Sequence, residues 1–335
     1  MSLKKIAELA GTSVATVSRV LNDTSRKCND AELKERILNA AKDIGYVPNV
    51  AAKNLKSGVG NSQKPFVVDI LLTRFNSLNS DYFFKELYES IREEMLRKNC
   101  VFGRFLNIPD IQSADDTASF SKKNTGLIIL GKCPEQVVAH LKKRYSYMVG
   151  VDRNPTDYEY DEIVCSGTSA AIMAMDYLIS LGHRKIAYIG DCTYETRYIG
   201  YYQALINNNI PLDYNYVYPS DQTKEGGYNA YLSILEKGNL PTAIFCANDA
   251  AAIGTLEAIK KHRRKGYVPS VISIDNIYQS KKTAPMLTTV DIPKRDMGHF
   301  AVTVLVDKMS GVYDRNIRVM FPCKLVIRES CTYCT

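Results

Sequence analysis

Nowhere in the 335 residues does an apolar run approach the roughly 18 residues of a membrane-spanning helix. The opening Met1-Ser2-Leu3-Lys4-Lys5 has no signal-peptide core and leads straight into a helix-like segment, so residence in the cytoplasm is expected. Histidine is scarce, at four, and no carboxylates gather around it, so no metal site is expected. No Gly-x-Gly-x-x-Gly follows a strand-like run, which leaves a dinucleotide site without support. Nor does any nucleophile stand with a base. The chain therefore reads as a non-enzyme, with no catalytic residues and no cofactor. Nine cysteines are scattered, most in apolar strand-like runs such as those holding Cys165 and Cys246, and read as reduced, packed small hydrophobes. Cys331-Thr332-Tyr333-Cys334 lacks the second ligand pair that a zinc site needs.

What is present is concentrated at the N-terminus. Residues 1–60 hold 10 Lys and Arg against 6 Asp and Glu, a net of +4, so the other 275 residues contribute only +3 of the total +7. A basic head on a nearly neutral body is the charge distribution of a nucleic-acid binder. Ile6, Ala7 and Ala10 recur at helical spacing. Gly11 then suits a sharp turn, because a residue without Cβ turns at least cost. Ser13 is a good N-cap for a second helix whose Val17, Val20 and Leu21 face inward. This is the pattern of a helix-turn-helix, which lays its second helix in the DNA major groove. Val14, Ala15, Ser18 and Arg19 fall on the outer side, where base edges would be met. Arg19 can make a bidentate contact to guanine, and Thr16 and Ser18 suit phosphate. Asn29 and Glu32 have capping-box spacing ahead of a third helix, with Leu33, Ile37, Ala40, Ala41 and Ile44 as its stripe and Gly45 as its end. A small helical bundle with no DNA role is the alternative.

Beyond the head and a polar linker, strand-like runs alternate with amphipathic helical ones, which implies parallel sheets flanked by helices. The strand-like runs are 66–72, 101–106, 126–130, 147–151, 185–190, 216–219, 242–247 and 271–275. The helix-like runs are 81–98, 134–143, 168–181, 195–207, 225–237 and 249–261. The alternation occurs twice, before and after about residue 162, as expected of two similar α/β lobes.

Several stretches resemble the LacI/GalR family of bacterial repressors. The head carries Ile6-Ala7, Ala10-Gly11, Thr16-Val17-Ser18-Arg19-Val20-Leu21-Asn22, Gly45-Tyr46 and Pro48-Asn49. The body carries Val151-Asp152-Arg153, Leu181-Gly182-His183-Arg184-Lys185-Ile186-Ala187, Ala247-Asn248-Asp249, Ile274-Asp275-Asn276 and Leu287-Thr288-Thr289-Val290. The resemblance implies an all-α helix-turn-helix head and hinge over 1–58, a linker over 59–65, and a periplasmic-binding-protein-like core over 66–335. Lobe 1 would take about 66–162 plus 292–322, and lobe 2 about 163–291 plus 323–335. It also implies that a hinge helix enters the minor groove, with Leu55 as the apolar wedge, Ala52 as the small residue that lets two hinge helices approach, and Asn49, Lys53 and Lys56 on DNA. Val14-Ala15 matches the galactose-type pair.

The same resemblance assigns an effector to the cleft between lobes, with Arg197, Asn248, Asp275 and Asp152 as its hydrogen-bonding groups. Arg197 begins a helix beyond the strand ending at Gly190, where its donor fork could aim into a cleft; a solvent-facing helix arginine is the common alternative. Asp and Asn at strand ends are also frequent turn formers, and Asp249 could serve only as a helix cap. Such polar groups favour a sugar or glycoside, with Phe75, Tyr82, Phe83 and Tyr194 as aromatic platforms. The stretch Asn79-Ser80-Asp81-Tyr82-Phe83-Phe84 departs from the family phrase. No leucine heptad follows Val326-Ile327-Arg328-Glu329-Ser330, so a homodimer on a pseudo-palindromic operator is expected. The expected protein is thus a transcriptional repressor controlled by a sugar. A regulator with a non-sugar effector or corepressor is the alternative, and a sugar-binding receptor lies further off.

Overall fold

The computed structural model describes residues 3–21, 32–33, 35–37, 40, 65–74, 81–113, 124–152, 160–193 and 195–334. The chain divides into two units, Met1–Gln63 and Lys64–Thr335.

In the first unit, helices α1 (Leu3–Ala10) and α2 (Val14–Leu21) are joined by a turn at Gly11, whose φ of +64° is the left-handed conformation that glycine adopts without a Cβ penalty. The Ser13 hydroxyl accepts the Thr16 backbone N–H at 3.1 Å, the N-cap expected of it. Ile6, Ala7, Ala10, Val17, Ile37 and Ala40 form one buried cluster, with Val20 and Leu33 packed against it. Val14 is exposed. The side chains of Ala15, Ser18 and Arg19, and the whole of Asn49, Ala52, Lys53, Leu55 and Lys56, lie outside the described residues.

The second unit holds two six-stranded sheets. The first is built from β1 (Val67–Leu72), β2 (Val101–Asn107), β3 (Thr125–Leu130), β4 (Met148–Asp152), β5 (Asp161–Cys165) and β11 (Arg318–Phe321), in the order β11-β5-β4-β3-β1-β2, all parallel. The second is built from β6 (Ile186–Gly190), β7 (Val217–Pro219), β8 (Ala243–Cys246), β9 (Ser270–Asp275), β10 (Thr288–Asp291) and β12 (Lys324–Val326), in the order β12-β10-β9-β8-β6-β7. Only β12 runs antiparallel to its neighbour. β3, β6 and β9 are buried along their whole length, as strands covered by helices on both faces must be.

The covering helices are α3 (Tyr82–Arg97), α4 (Ile108–Ser113), α5 (Glu135–Lys142), α6 (Gly167–Ser180), α7 (Thr196–Asn207), α8 (Lys224–Lys237), α9 (Asp249–Lys261) and α10 (Lys294–Met309). In α3, the Asp81 carboxylate accepts the N–H groups of Phe83 and Phe84 as N-cap, and Phe84, Leu87, Ile91 and Met95 are buried on the expected stripe. Among the described residues no helix is long and apolar enough to cross a membrane.

Among the described residues the chain passes between the sheets three times: after Cys165 into α6, after Asp291 into α10, and at Pro322-Cys323 between β11 and β12. The first passage lies three residues later than the expected division at 162, because β5 pairs with β4 on one side and β11 on the other. β5, β10, β11, β12, α4 and α10 were not foreseen in the alternation. They are short, or they lie where the pattern had been read as connections.

Candidate functional site

A parallel sheet directs all its strand ends, and the loops that follow them, to one edge, so the chemistry of an open α/β unit collects there. Here the carboxyl ends of both sheets open on a shared cavity of about 240 Å³. Thr73 and Arg74 follow β1, Gly131 and Lys132 follow β3, and Asp152 ends β4. Phe84 reaches it from α3. From the second lobe come Asp191, Glu195, Arg197 and Gln222. Gly131 has φ +93°, and a Cβ there would stand 2.6 Å from the Thr73 hydroxyl and 3.1 Å from the Phe84 ring, so its smallness keeps this wall open. A larger cavity, about 670 Å³, lies by Leu256, Lys260 and Ser270, at the amino ends of the strands, and contains none of these groups. Strand polarity therefore points to the smaller one.

Arg197 anchors the second-lobe wall. It is 2 % exposed. Its Nε and Nη2 donate to the two Glu195 carboxylate oxygens, each at 2.8 Å; Nη1 donates to the Ala247 carbonyl at 2.9 Å and Nη2 also to Gln222 Oε1 at 2.8 Å. Burial alone would lower the Arg197 pKa, but the charge and hydrogen bonds of Glu195 outweigh it and raise it, so the guanidinium stays charged.

Gln222 is the meeting point of the two lobes. Its Oε1 accepts Arg197 from one side and Arg74 Nη1, at 3.3 Å, from the other, while Arg74 Nη2 donates to the Asp221 carbonyl at 2.8 Å. Gln222 is buried and adopts φ +65°, an unusual conformation for a side-chain-bearing residue, of the kind that collects at functional sites. The Asn248 amide holds it there by donating to the Gln222 carbonyl at 2.9 Å. Glu86 of α3 makes a second bridge: it accepts the Tyr278 N–H at 2.7 Å and pairs with Lys294 at 3.5 Å.

Of the residues expected at the site, Asp152 and Arg197 line the cavity. Asn248 does not. Its Oδ1 accepts the Ala251 N–H as N-cap of α9 and its amide is spent on Gln222, so the cap is Asn248 and not Asp249. Asp249 is buried, accepting Ser273 Oγ at 2.5 Å, Thr289 Oγ1 at 2.6 Å and the Ile277 N–H at 2.8 Å. Asp275 is buried at the end of β9 with φ +126°, its carbonyl held by Lys294, and is not among the lining groups. Tyr82 is 47 % exposed and Phe83 is in the core; neither lines the cavity, whereas Phe84 does. Phe75 and Tyr194 lie outside the described residues.

Two family models match the chain: bacterial regulatory proteins of the lacI family over residues 2–49, and a periplasmic binding protein-like domain over residues 175–331. The HTH-type transcriptional repressor PurR of Histophilus somni is 30% identical over 98% of this chain and 98% of its own. The chain belongs to the LacI family. Solved structures of similar fold include the complex of the transcriptional regulator CelR with cellobiose, with TM-score 0.70, 21% identity, and 99% and 100% of the two chains covered. Another is the lac repressor dimer bound to operator and the anti-inducer ONPF, with TM-score 0.68, 22% identity and 99% of each chain covered. As a LacI-family protein the chain is a DNA-binding transcriptional repressor, working by binding and not by catalysis.

Within this LacI-family core, sequence reasoning missed Arg74, Lys132, Asp191, Glu195 and Gln222. Three had a usable signal: Arg74, Lys132 and Asp191 each follow a strand-like run by one or two residues, the same rule that singled out Asp152. Gln222 had none, since its place depends on a positive φ.

Proposed function

We propose that the cleft between the lobes binds a small polyhydroxylated effector, a sugar or glycoside, and that occupancy controls the affinity of the head for its operator. The observation that carries this reading is the mixed lining of the cavity. Arg74 and Lys132 offer donors, Asp152 and Asp191 offer acceptors, the Gln222 amide NH2 adds a donor while its oxygen is taken by Arg197 and Arg74, and Phe84 supplies an apolar face. Sugar hydroxyls need donors and acceptors side by side, and these groups come from both lobes. At about 240 Å³ the cavity falls below the roughly 300–1,000 Å³ of drug-sized sites, which favours a ligand of monosaccharide size. The cellobiose complex of CelR supports the sugar class. The effector closes the lobes, and closure releases DNA, which requires that it bind the two states with different affinity.

On DNA, Val14, Ala15, Ser18 and Arg19 read the major groove, Thr16 holds phosphate, and Leu55 wedges the minor groove between hinge helices with Ala52, Asn49, Lys53 and Lys56 around it. The working unit is a homodimer on a pseudo-palindromic site. β2, the edge strand of the first sheet, presents Val101, Phe102 and Phe105 to the surface, and such an apolar edge calls for a covering partner. The lac repressor dimer of similar fold supports a second copy in that role.

The test is operator binding by fluorescence anisotropy at two salt concentrations against a panel of sugars and glycosides. Salt-sensitive binding released by one sugar is the expected result, because phosphate contacts displace counterions. Binding untouched by every sugar would overturn the sugar assignment and leave a non-sugar effector or a corepressor.

A further inference from the structure

We propose that the cavity at the amino ends of the second sheet is a second ligand site, for a small polyphosphate that also carries an apolar group, of the nucleoside polyphosphate kind. Lys260, Arg263, Arg264 and Lys265 would hold the phosphates. At about 670 Å³ the cavity lies inside the roughly 300–1,000 Å³ of small-molecule sites. It forms where the end of α9 and the turn into β9 meet the loop before β10 and the segment after β12.

The charge there is concentrated and then sorted. Lys260-Lys261-His262-Arg263-Arg264-Lys265 places five cations in six residues, whereas the 275 residues beyond the head carry a net of only +3. Without this run the core would be net negative. Cations at the end of a helix ordinarily offset the negative end of its dipole, and Lys260 and Lys261 are enough for that. The structure divides the run in two. Lys261 Nζ lies 5.8 Å from the centre of the Tyr228 ring, and His262 Nε2 is hydrogen-bonded to the Tyr228 hydroxyl at 2.7 Å, so both face α8. The other four line the cavity, and among the described residues none of their side chains has a hydrogen-bond or ion-pair partner. Four like charges around one hollow repel one another, and a bound polyanion would relieve that repulsion.

The neutral polar groups of the wall are engaged elsewhere. Ser270 Oγ accepts the Thr332 N–H at 2.9 Å and meets His183 Nε2 at 3.1 Å. Ser330 Oγ donates to the Val271 carbonyl at 2.6 Å and accepts the Thr288 N–H at 2.8 Å. The Glu329 carboxylate accepts the Met286 N–H at 2.9 Å. Recognition therefore falls to the cations, which only donate. Phosphate oxygens only accept, so the two match, whereas a sugar hydroxyl would need acceptors as well. One phosphate carries about −1.5 to −2, so four cations call for two phosphates or more. The rest of the wall is apolar. Leu256, Ile259, Val268 and Pro285 line it, with Val268 80 % exposed, and the Tyr267 hydroxyl is turned to the Pro241 carbonyl at 2.9 Å, which leaves its ring as wall. A nucleoside polyphosphate has both the phosphate chain and the flat apolar base that such a lining asks for.

The experiment titrates ATP, tripolyphosphate and adenosine into the full-length protein by calorimetry, without divalent cations, at about 0.15 M salt, where loose attraction between exposed charges is largely screened. ATP is expected to bind at one site per chain and more tightly than either fragment. Arg263→Gln and Arg264→Gln should each weaken it by about tenfold, the loss of one charge-assisted hydrogen bond. Lys261→Gln removes the same charge from the same run but faces α8, and should bind ATP as the parent does. All three positions are exposed, and circular dichroism checks that each variant folds. No binding of ATP overturns the proposal. Equal weakening by Lys261→Gln overturns it too, since attraction would then follow the run and not the cavity. Tripolyphosphate bound as tightly as ATP would strike the apolar group from the ligand class. ATP binding lost on Arg19→Gln but kept in Arg264→Gln would place it on the basic head. The titration needs neither operator nor sugar, so it stands or fails independently of the proposed effector.

Discussion

Arg197 and Glu195 sit two residues apart and grip each other through two hydrogen bonds of 2.8 Å, with both side chains buried. An arginine held this way is a fixed part of the cleft wall. Four of its five N–H groups are taken by Glu195, Gln222 and Ala247, which leaves one on Nη1 for the proposed effector. The pair orients that donor at the expense of freedom, as a pre-organised site requires.

Removing one partner strands the other. Arg197→Ala leaves the Glu195 carboxylate buried without its counter-charge, which costs about 3–5 kcal/mol. Urea denaturation monitored by tyrosine fluorescence should show that loss. The double variant Arg197→Met with Glu195→Leu should recover most of the stability while remaining unresponsive to sugar. If Arg197→Ala melts like the parent, the pair contributes nothing and the wall is held by other contacts.

Asp249 makes stability depend on pH. Burial, followed by the charge of Asp275, raises its pKa from 3.8 to about 7, against the three hydrogen bonds it accepts. In the unfolded chain the group releases its proton near the ordinary value, so between about pH 4 and pH 7 the folded state holds a proton that the unfolded state has lost. Stability contributed by this group therefore falls as pH rises through that window, at up to about 1.4 kcal/mol per pH unit, and is flat above it. Urea midpoints across the window should show this slope in the parent and a flatter one in Asp249→Asn. Identical slopes would mean that Asp249 stays ionised throughout.

Much of this was legible in the sequence. The head turn at Gly11, the Ser13 cap and the stripe of α3 are local features, each fixed by residues a few positions apart. The alternation of apolar runs and amphipathic stretches gave the parallel sheets, since buried parallel strands must be apolar throughout. What escaped was non-local. β11 and β12 are short and half-exposed, and become strands only because distant edges await them. Asn248 read as a ligand group because its type and strand-end position fit, but the deciding fact is the Gln222 carbonyl, 26 residues earlier, that absorbs its amide. Glu195 was passed over since nothing in its neighbours reveals that a buried guanidinium will fold back onto it.

Arg74 carries a prediction about movement. Its guanidinium crosses from the first lobe to the Asp221 carbonyl and the Gln222 amide of the second. A hydrogen bond of this kind contributes about 0.5–1.5 kcal/mol, enough to shift an equilibrium between closed and open lobes by about two- to tenfold. Arg74→Ala should raise the radius of gyration of the unliganded protein in small-angle scattering and weaken sugar binding by a similar factor. An unaltered scattering profile together with parental affinity would remove Arg74 from the closure mechanism.

The operator contacts separate by the sequence dependence of their loss. If Arg19 reads a guanine, Arg19→Ala weakens operator binding by about 1–3 kcal/mol and leaves random DNA nearly as well bound, so the preference collapses. Lys53→Ala, removing a phosphate contact, should instead weaken both DNAs alike and flatten the salt dependence by about one charge. Leu55→Ala should reduce affinity together with DNA bending, because the wedge offsets the cost of unstacking by bringing more protein onto the bent duplex. Anisotropy with operator and scrambled duplexes at several salt concentrations, with end-to-end energy transfer for the bend, reads all three. An Arg19→Ala protein that still prefers operator by the parental factor would move base reading to Val14 and Ala15. A Leu55→Ala protein that bends DNA normally would leave the hinge as a phosphate clamp without a wedge.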